Sequence, residues 1–83
     1  MLTAINGYIT NEARLAFMSA LAGAGLNLRT FCQDQNLRYQ WTWSKLNAKT
    51  KTDDISLALL RYKLLLATGK EWTIENKEYR GLS

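Results

Sequence analysis

"LRYQWTWSKLNAKTK", residues 37–51, holds four cationic side chains, three large aromatic ones and no acid. Its backbone conformation decides the fold, because two periods compete within it. Tyr39, Trp41 and Trp43 alternate with Gln40 and Thr42, which is the period of a half-buried strand made from strand-favouring residues. Over the longer window Arg38, Thr42, Lys45 and Lys49 recur at i, i+4, i+7 and i+11, while Tyr39, Trp43 and Leu46 recur at i, i+4 and i+7 on another side. A helix therefore sorts the basic from the apolar side chains. A strand would put Trp43, Lys45 and Asn47 on one face and Ser44, Leu46 and Ala48 on the other, and neither face would be consistently apolar. The spacing predicts a helix over about residues 39–49, with Tyr39, Trp43 and Leu46 in the core.

Upstream, Asn27 suits an N-cap, and Leu28, Phe31 and Cys32 share one side of a short helix running to about Gln35. Asn36 can close it in the left-handed conformation, leaving room only for a tight turn before Leu37. Earlier still, Ala13, Phe17, Leu21 and Ala24, joined by Ala16 and Ala20, mark a helix from about Asn11. Thr10 or Asn11 caps its start, and Gly23 or Gly25 ends it. Before it, "TAINGYIT", residues 3–10, sets Asn6-Gly7 between short apolar flanks, a hairpin-turn signal within an extended lead-in or edge strand.

Downstream, "TKTDDISLALLRYKLLLATG" carries the clearest helix signals: Thr52 or Asp53 as N-cap, acids in the first turn and Gly69 as the stop. Ile55, Leu59, Tyr62 and Leu66 form one stripe, and Leu57, Leu60, Leu64 and Ala67 widen the apolar arc. That exceeds what one small core requires, and the surplus suits a dimer surface. From about residue 70 the chain reads as a tail, where Trp72, Ile74 and Tyr79 around Glu75-Asn76-Lys77 fit a short hairpin turning at Asn76. The fold class expected is mainly α, one domain over residues 1–83, with four to five short helices and room for a β-hairpin at either terminus.

Composition narrows the function classes. The net charge of +4 favours an anionic partner. Four of the eleven Lys and Arg side chains fall in the acid-free window between Asp34 and Asp53, although a solvated helix face would account for the same charges. Histidine is absent and Cys32 is alone, which removes the commonest general base, any intrachain disulfide and any familiar zinc set. Neither a phosphate-cradling glycine loop nor a nucleophile motif is present. We therefore expect no enzyme, metal or cofactor, and a cytoplasmic compartment. Asn6, Gly7, Asn11 and Glu12 interrupt the N-terminus as a leader, and Ser19, Arg61 and Lys63 break the longest apolar runs, so neither a signal peptide nor a membrane span is expected.

The run "NLRTFCQDQNLRYQWTWSKLNAKT", residues 27–50, resembles the helix-turn-helix of small Cro-like and lambda-repressor-like phage and plasmid regulators. Phe31 and Cys32 match that family's large and small apolar pair in the first helix, and Leu37 matches the apolar residue beyond the turn. "SKL" at residues 44–46 resembles the end of its second helix, one residue later than the usual spacing, and Asn36 stands where glycine is frequent. The resemblance implies a transcription regulator, binding double-stranded DNA as a homodimer, with helix 39–49 in the major groove. It further implies that Arg38, Gln40 and Thr42 read base edges, that Trp41 meets a thymine methyl or sugar edge if it is not buried, and that Lys45, Lys49 and Lys51 hold phosphates. The alternative expectation is a small inhibitor or adaptor that docks on another protein through Trp41, Trp43 and the basic side chains. Stacking of single-stranded nucleic acid on Tyr39, Trp41 and Trp43 would need the strand reading.

Overall fold

Asn6 and Gly7 take positive φ values of 53° and 83°, the backbone that turns one strand tightly back on another. In the computed structural model, which describes residues 1–78, this turn joins β1 (Leu2–Ile5) to β2 (Tyr8–Ile9). There follow α1 (Asn11–Gly23), α2 (Leu28–Asp34), α3 (Tyr39–Leu46), α4 (Asp54–Thr68) and β3 (Ile74–Lys77). The described residues are thus mainly α, with a small three-stranded sheet in the order β2-β1-β3. The N-terminal hairpin signal is matched by the structure, and the segment that opened two readings is helical.

The tail is organised differently from its sequence reading. Glu75, Asn76 and Lys77 do not turn: they lie within β3, which runs parallel to β1 with Ala4 opposite Asn76. Tyr79, the far arm of the expected hairpin, lies outside the described residues. Parallel pairing gains what a local hairpin could not supply here, because β1 offers hydrogen-bonding groups on its free edge. Leu2 N–H donates to the Thr73 carbonyl at 2.8 Å and Asn6 N–H to the Lys77 carbonyl at 2.7 Å. Trp72 anchors the approach by packing edge-on to Phe17, with ring centroids 6.2 Å apart.

Helix starts follow the capping signals. Thr10 accepts from Ala13 N–H at 3.1 Å, and Asp53, not Thr52, accepts from Ser56 N–H at 2.8 Å. Asn27 and Thr30 exchange side-chain and backbone bonds in a reciprocal capping box, each at 2.9 Å. Three successive helices then end alike, with a left-handed residue just past the cap: Gly25 after α1, Asn36 after α2 and Ala48 after α3. After each, the next N–H reaches back five residues, as Leu37 N–H does to the Cys32 carbonyl at 2.8 Å, which is the Schellman ending.

The core collects one line from each helix: Ala13, Phe17 and Leu21 from α1, Leu28, Phe31 and Cys32 from α2, Leu46 from α3, and Leu57, Leu60 and Leu64 from α4. Leu2, Ala4 and Ile9 close it from the sheet. Phe17 and Phe31 meet edge to face at 5.5 Å at its centre, a geometry that rings prefer over stacking face to face. On α4 the buried line is Leu57, Leu60 and Leu64. The Ile55, Leu59, Tyr62 and Leu66 stripe stands exposed on the other side.

Candidate nucleic-acid interface

α3 has eight residues and two fully buried side chains, Thr42 and Leu46. These are four apart and so lie one above the other, which fixes the orientation of every other side chain on the helix. Thr42 is 0% exposed. Its hydroxyl donates to the Arg38 carbonyl at 3.0 Å and stands beside the Cys32 thiol of α2. The expectation that Thr42 reads a base edge is therefore corrected: α3 crosses α2 at this point, and the small pair Cys32 and Thr42 fills the crossing. Burial pushes the Cys32 thiol above its ordinary pKa, and the neighbouring Thr42 hydroxyl offsets part of that rise.

The same orientation corrects two further assignments. Tyr39 and Trp43, expected in the core with Leu46, are 39% and 37% exposed. The basic stripe does not form one outward face either, because it runs through the buried Thr42. α3 also stops at Leu46, where Ala48 turns left-handed, so Lys49 lies beyond the helix expected to carry it. Lys49 and Lys51 are exposed in the connection to α4. Lys45 is half-buried: its ammonium donates to the Lys51 carbonyl and stands 5.8 Å from the centre of the Trp41 ring. It latches that connection to α3, and a free phosphate contact would need the latch to open.

Of the seven expected site residues, Arg38 and Gln40 are exposed at the start of α3. Trp41 is half-buried and packed against the core, with Lys45 over its face. Residues two apart on a helix point about 200° apart, so Trp41 and Trp43 do not share one surface. The helical backbone likewise removes the strand on which bases would have stacked.

Opposite the Thr42–Leu46 line lie Gln40, Ser44 and Asn47, with Trp43 on its flank. Gln40 and Trp43 are exposed and Ser44 and Asn47 half-exposed. The Asn47 amide nitrogen donates to the Trp43 carbonyl at 3.0 Å, so its side-chain oxygen and second amide hydrogen are not used by that bond. Arg29 of α2 holds its guanidinium 5.4 Å from the Tyr39 ring centre. Arg14 of α1 lines a depression of about 170 Å³ together with Tyr39 and Trp43. Sequence reasoning passed over Ser44, Asn47, Arg14 and Arg29. One signal could have found the first two: placing Leu46 in the core already turns Thr42 inward, and so turns Gln40, Ser44 and Asn47 outward.

Among the described residues no cluster of three or more potential ligands could hold a metal ion, and no single helix is long and apolar enough to cross a membrane. Comparison with protein-family models, with curated proteins and with solved structures finds no match.

Proposed function

We propose that the chain is a cytoplasmic transcription regulator of the phage or plasmid type, which binds double-stranded DNA by laying the outward face of α3 in the major groove. In this reading α2 and α3 form a helix-turn-helix, and the protein acts by binding, not as an enzyme. One observation carries it. The exposed side of α3 presents an amide, a hydroxyl and a second amide at Gln40, Ser44 and Asn47, with no acid between Asp34 and Asp53. Glutamine and asparagine can bond adenine through two hydrogen bonds and serine can bond several bases, so such a face can discriminate sequence. Arg38 stands at the groove-entering end, and Lys49 and Lys51 are free to meet phosphates.

The reader set is thereby revised to Arg38, Gln40, Ser44 and Asn47, with Thr42 structural. A protein-docking adaptor is less well supported, because its paired tryptophans point apart. Selection from random duplexes followed by footprinting tests the proposal. Gln40→Ala and Asn47→Ala should each relax preference at one base pair, costing about 1–3 kcal/mol of discrimination. Lys49→Ala and Lys51→Ala should weaken binding to all duplexes and lower the salt slope by about one each. Silence toward every duplex at low salt would end this reading.

A further inference from the structure

α4 carries two apolar lines, and the core uses one. Ile55, Leu59, Tyr62 and Leu66 are 81%, 38%, 52% and 53% exposed, while Leu57, Leu60 and Leu64 on the other line are completely buried. The exposed line steps by four, three and four residues, a mean period of about 3.7 that nearly matches the 3.6 of the α-helix itself, so the stripe stays on one side along the whole helix. Scattered exposed apolar residues need no explanation, but a continuous stripe over three turns marks a contact surface.

We propose that this stripe pairs with the same stripe of a second copy, the two α4 helices running antiparallel about a two-fold axis between Leu60 and Arg61. Charge selects both the partner and the direction. Asp53 and Asp54, with Lys51 just before them, give the start of α4 a net charge of −1, whereas Arg61 and Lys63 from its middle onward, with Lys70 and Glu71 just past its end, sum to +2. An antiparallel copy brings the acidic end of each helix to the basic end of the other, whereas a parallel copy would set like against like. The helix dipoles favour the same direction. In that register Ile55 meets Leu66 and Leu59 meets Tyr62, so all four stripe residues find an apolar partner, and Ala58 lets the backbones approach. The surface is isologous, so pairing closes at two copies.

The stripe spans one helix of 15 residues, about 22 Å long. That lies at the small end of stable interfaces, so the dimer should form at concentrations on the order of tens of micromolar. The inference rests on α4 alone and stands whether or not α3 binds duplex.

Sedimentation velocity on the full chain between about 1 and 500 µM tests it. A concentration-dependent shift from monomer to dimer is expected. Leu59→Glu and Leu66→Glu should raise the dissociation constant by about tenfold or more, with the far-ultraviolet helix signal unchanged because both sites are exposed. A wild-type chain that stays monomeric at the upper limit overturns the proposal. Orientation is read by oxidative cross-linking. Ile55→Cys alone should not cross-link, since the two copies of that position would lie about 16 Å apart along the axis, beyond disulfide reach. An equal mixture of Ile55→Cys and Leu66→Cys should give a mixed covalent dimer. Efficient self-linking of Ile55→Cys would overturn the antiparallel arrangement.

Discussion

The Thr42 hydroxyl of α3 stands beside the Cys32 thiol of α2 where the two helices cross, close enough to offset part of the rise that burial gives the thiol's pKa. Both residues are buried, and the same hydroxyl donates to the Arg38 carbonyl at 3.0 Å. Thr42→Val keeps the shape and the branching while removing that bond. The variant should lose about 1 kcal/mol in urea unfolding, and its duplex preference should be unchanged, because no base could reach position 42. A relaxed preference at one base pair would show that Thr42 turns outward in solution.

Thr52 should respond to the same substitution with the opposite sign. It is 1% exposed, its backbone N–H donates to the Gly7 carbonyl at 2.6 Å, and among the described residues its hydroxyl has no partner. A buried hydroxyl without a partner keeps its desolvation penalty. Thr52→Val removes that penalty at constant volume and preserves the backbone bond. We expect a gain of about 1 kcal/mol, raising Tm by roughly 4–8 °C for a domain of this size, as measured by thermal unfolding.

Where local chemistry determined structure, the sequence could be read closely. Asn27 and Asp53 cap the helices they precede, Asn6-Gly7 turns a hairpin, and Asn36 closes α2 in the left-handed region. What escaped reading was decided by partners distant in the chain. β3 pairs with β1 across some seventy residues, Leu2 opposite Ile74, so the residues around Asn76 alone suggested a hairpin. α4 has two apolar lines of nearly equal merit, and only its packing on α1 and β3 selects Leu57, Leu60 and Leu64 for the core. In and around α3 the charges at positions 38, 45 and 49 imitated an exposed stripe, yet Thr42 among them lies within the helix crossing. Local periodicity reports that a helix is two-sided; which side faces inward depends on the neighbouring helix.

Asp53 couples α4 to pH. Hydrogen bonds from the Ser56 side chain and backbone, aided by the nearby Lys45 ammonium, hold its carboxyl below the ordinary value of 3.8. A depressed carboxylate contributes stability above its unfolded pKa and loses it as pH falls through the folded value. The contribution should be complete at neutral pH and fade below about pH 4. Asp53→Asn retains a capping oxygen but cannot titrate, so its acid-unfolding curve should be flatter than the wild-type curve in that range. An identical acid limb in the two proteins would show that the Asp53 carboxylate is not what links the start of α4 to pH.

Ala48 is the one residue among those described that takes a positive φ, 56°, without being glycine or asparagine. The left-handed region brings Cβ too close to the following carbonyl oxygen, and a side chain without a polar group gains nothing there in return. The position is nonetheless required, because the Schellman ending of α3 needs it: Lys49 N–H reaches the Ser44 carbonyl at 2.9 Å and Ala48 N–H the Lys45 carbonyl at 3.3 Å. Ala48→Gly should relieve the strain and lose part of the gain to the greater freedom of the unfolded chain, leaving a net stabilisation of about 0.5–1 kcal/mol. Ala48→Val adds branching at a site that cannot accommodate it and should destabilise by at least as much. Denaturant midpoints for the three proteins measure both steps. An order other than Gly above Ala above Val would show that α3 ends without a left-handed residue at position 48.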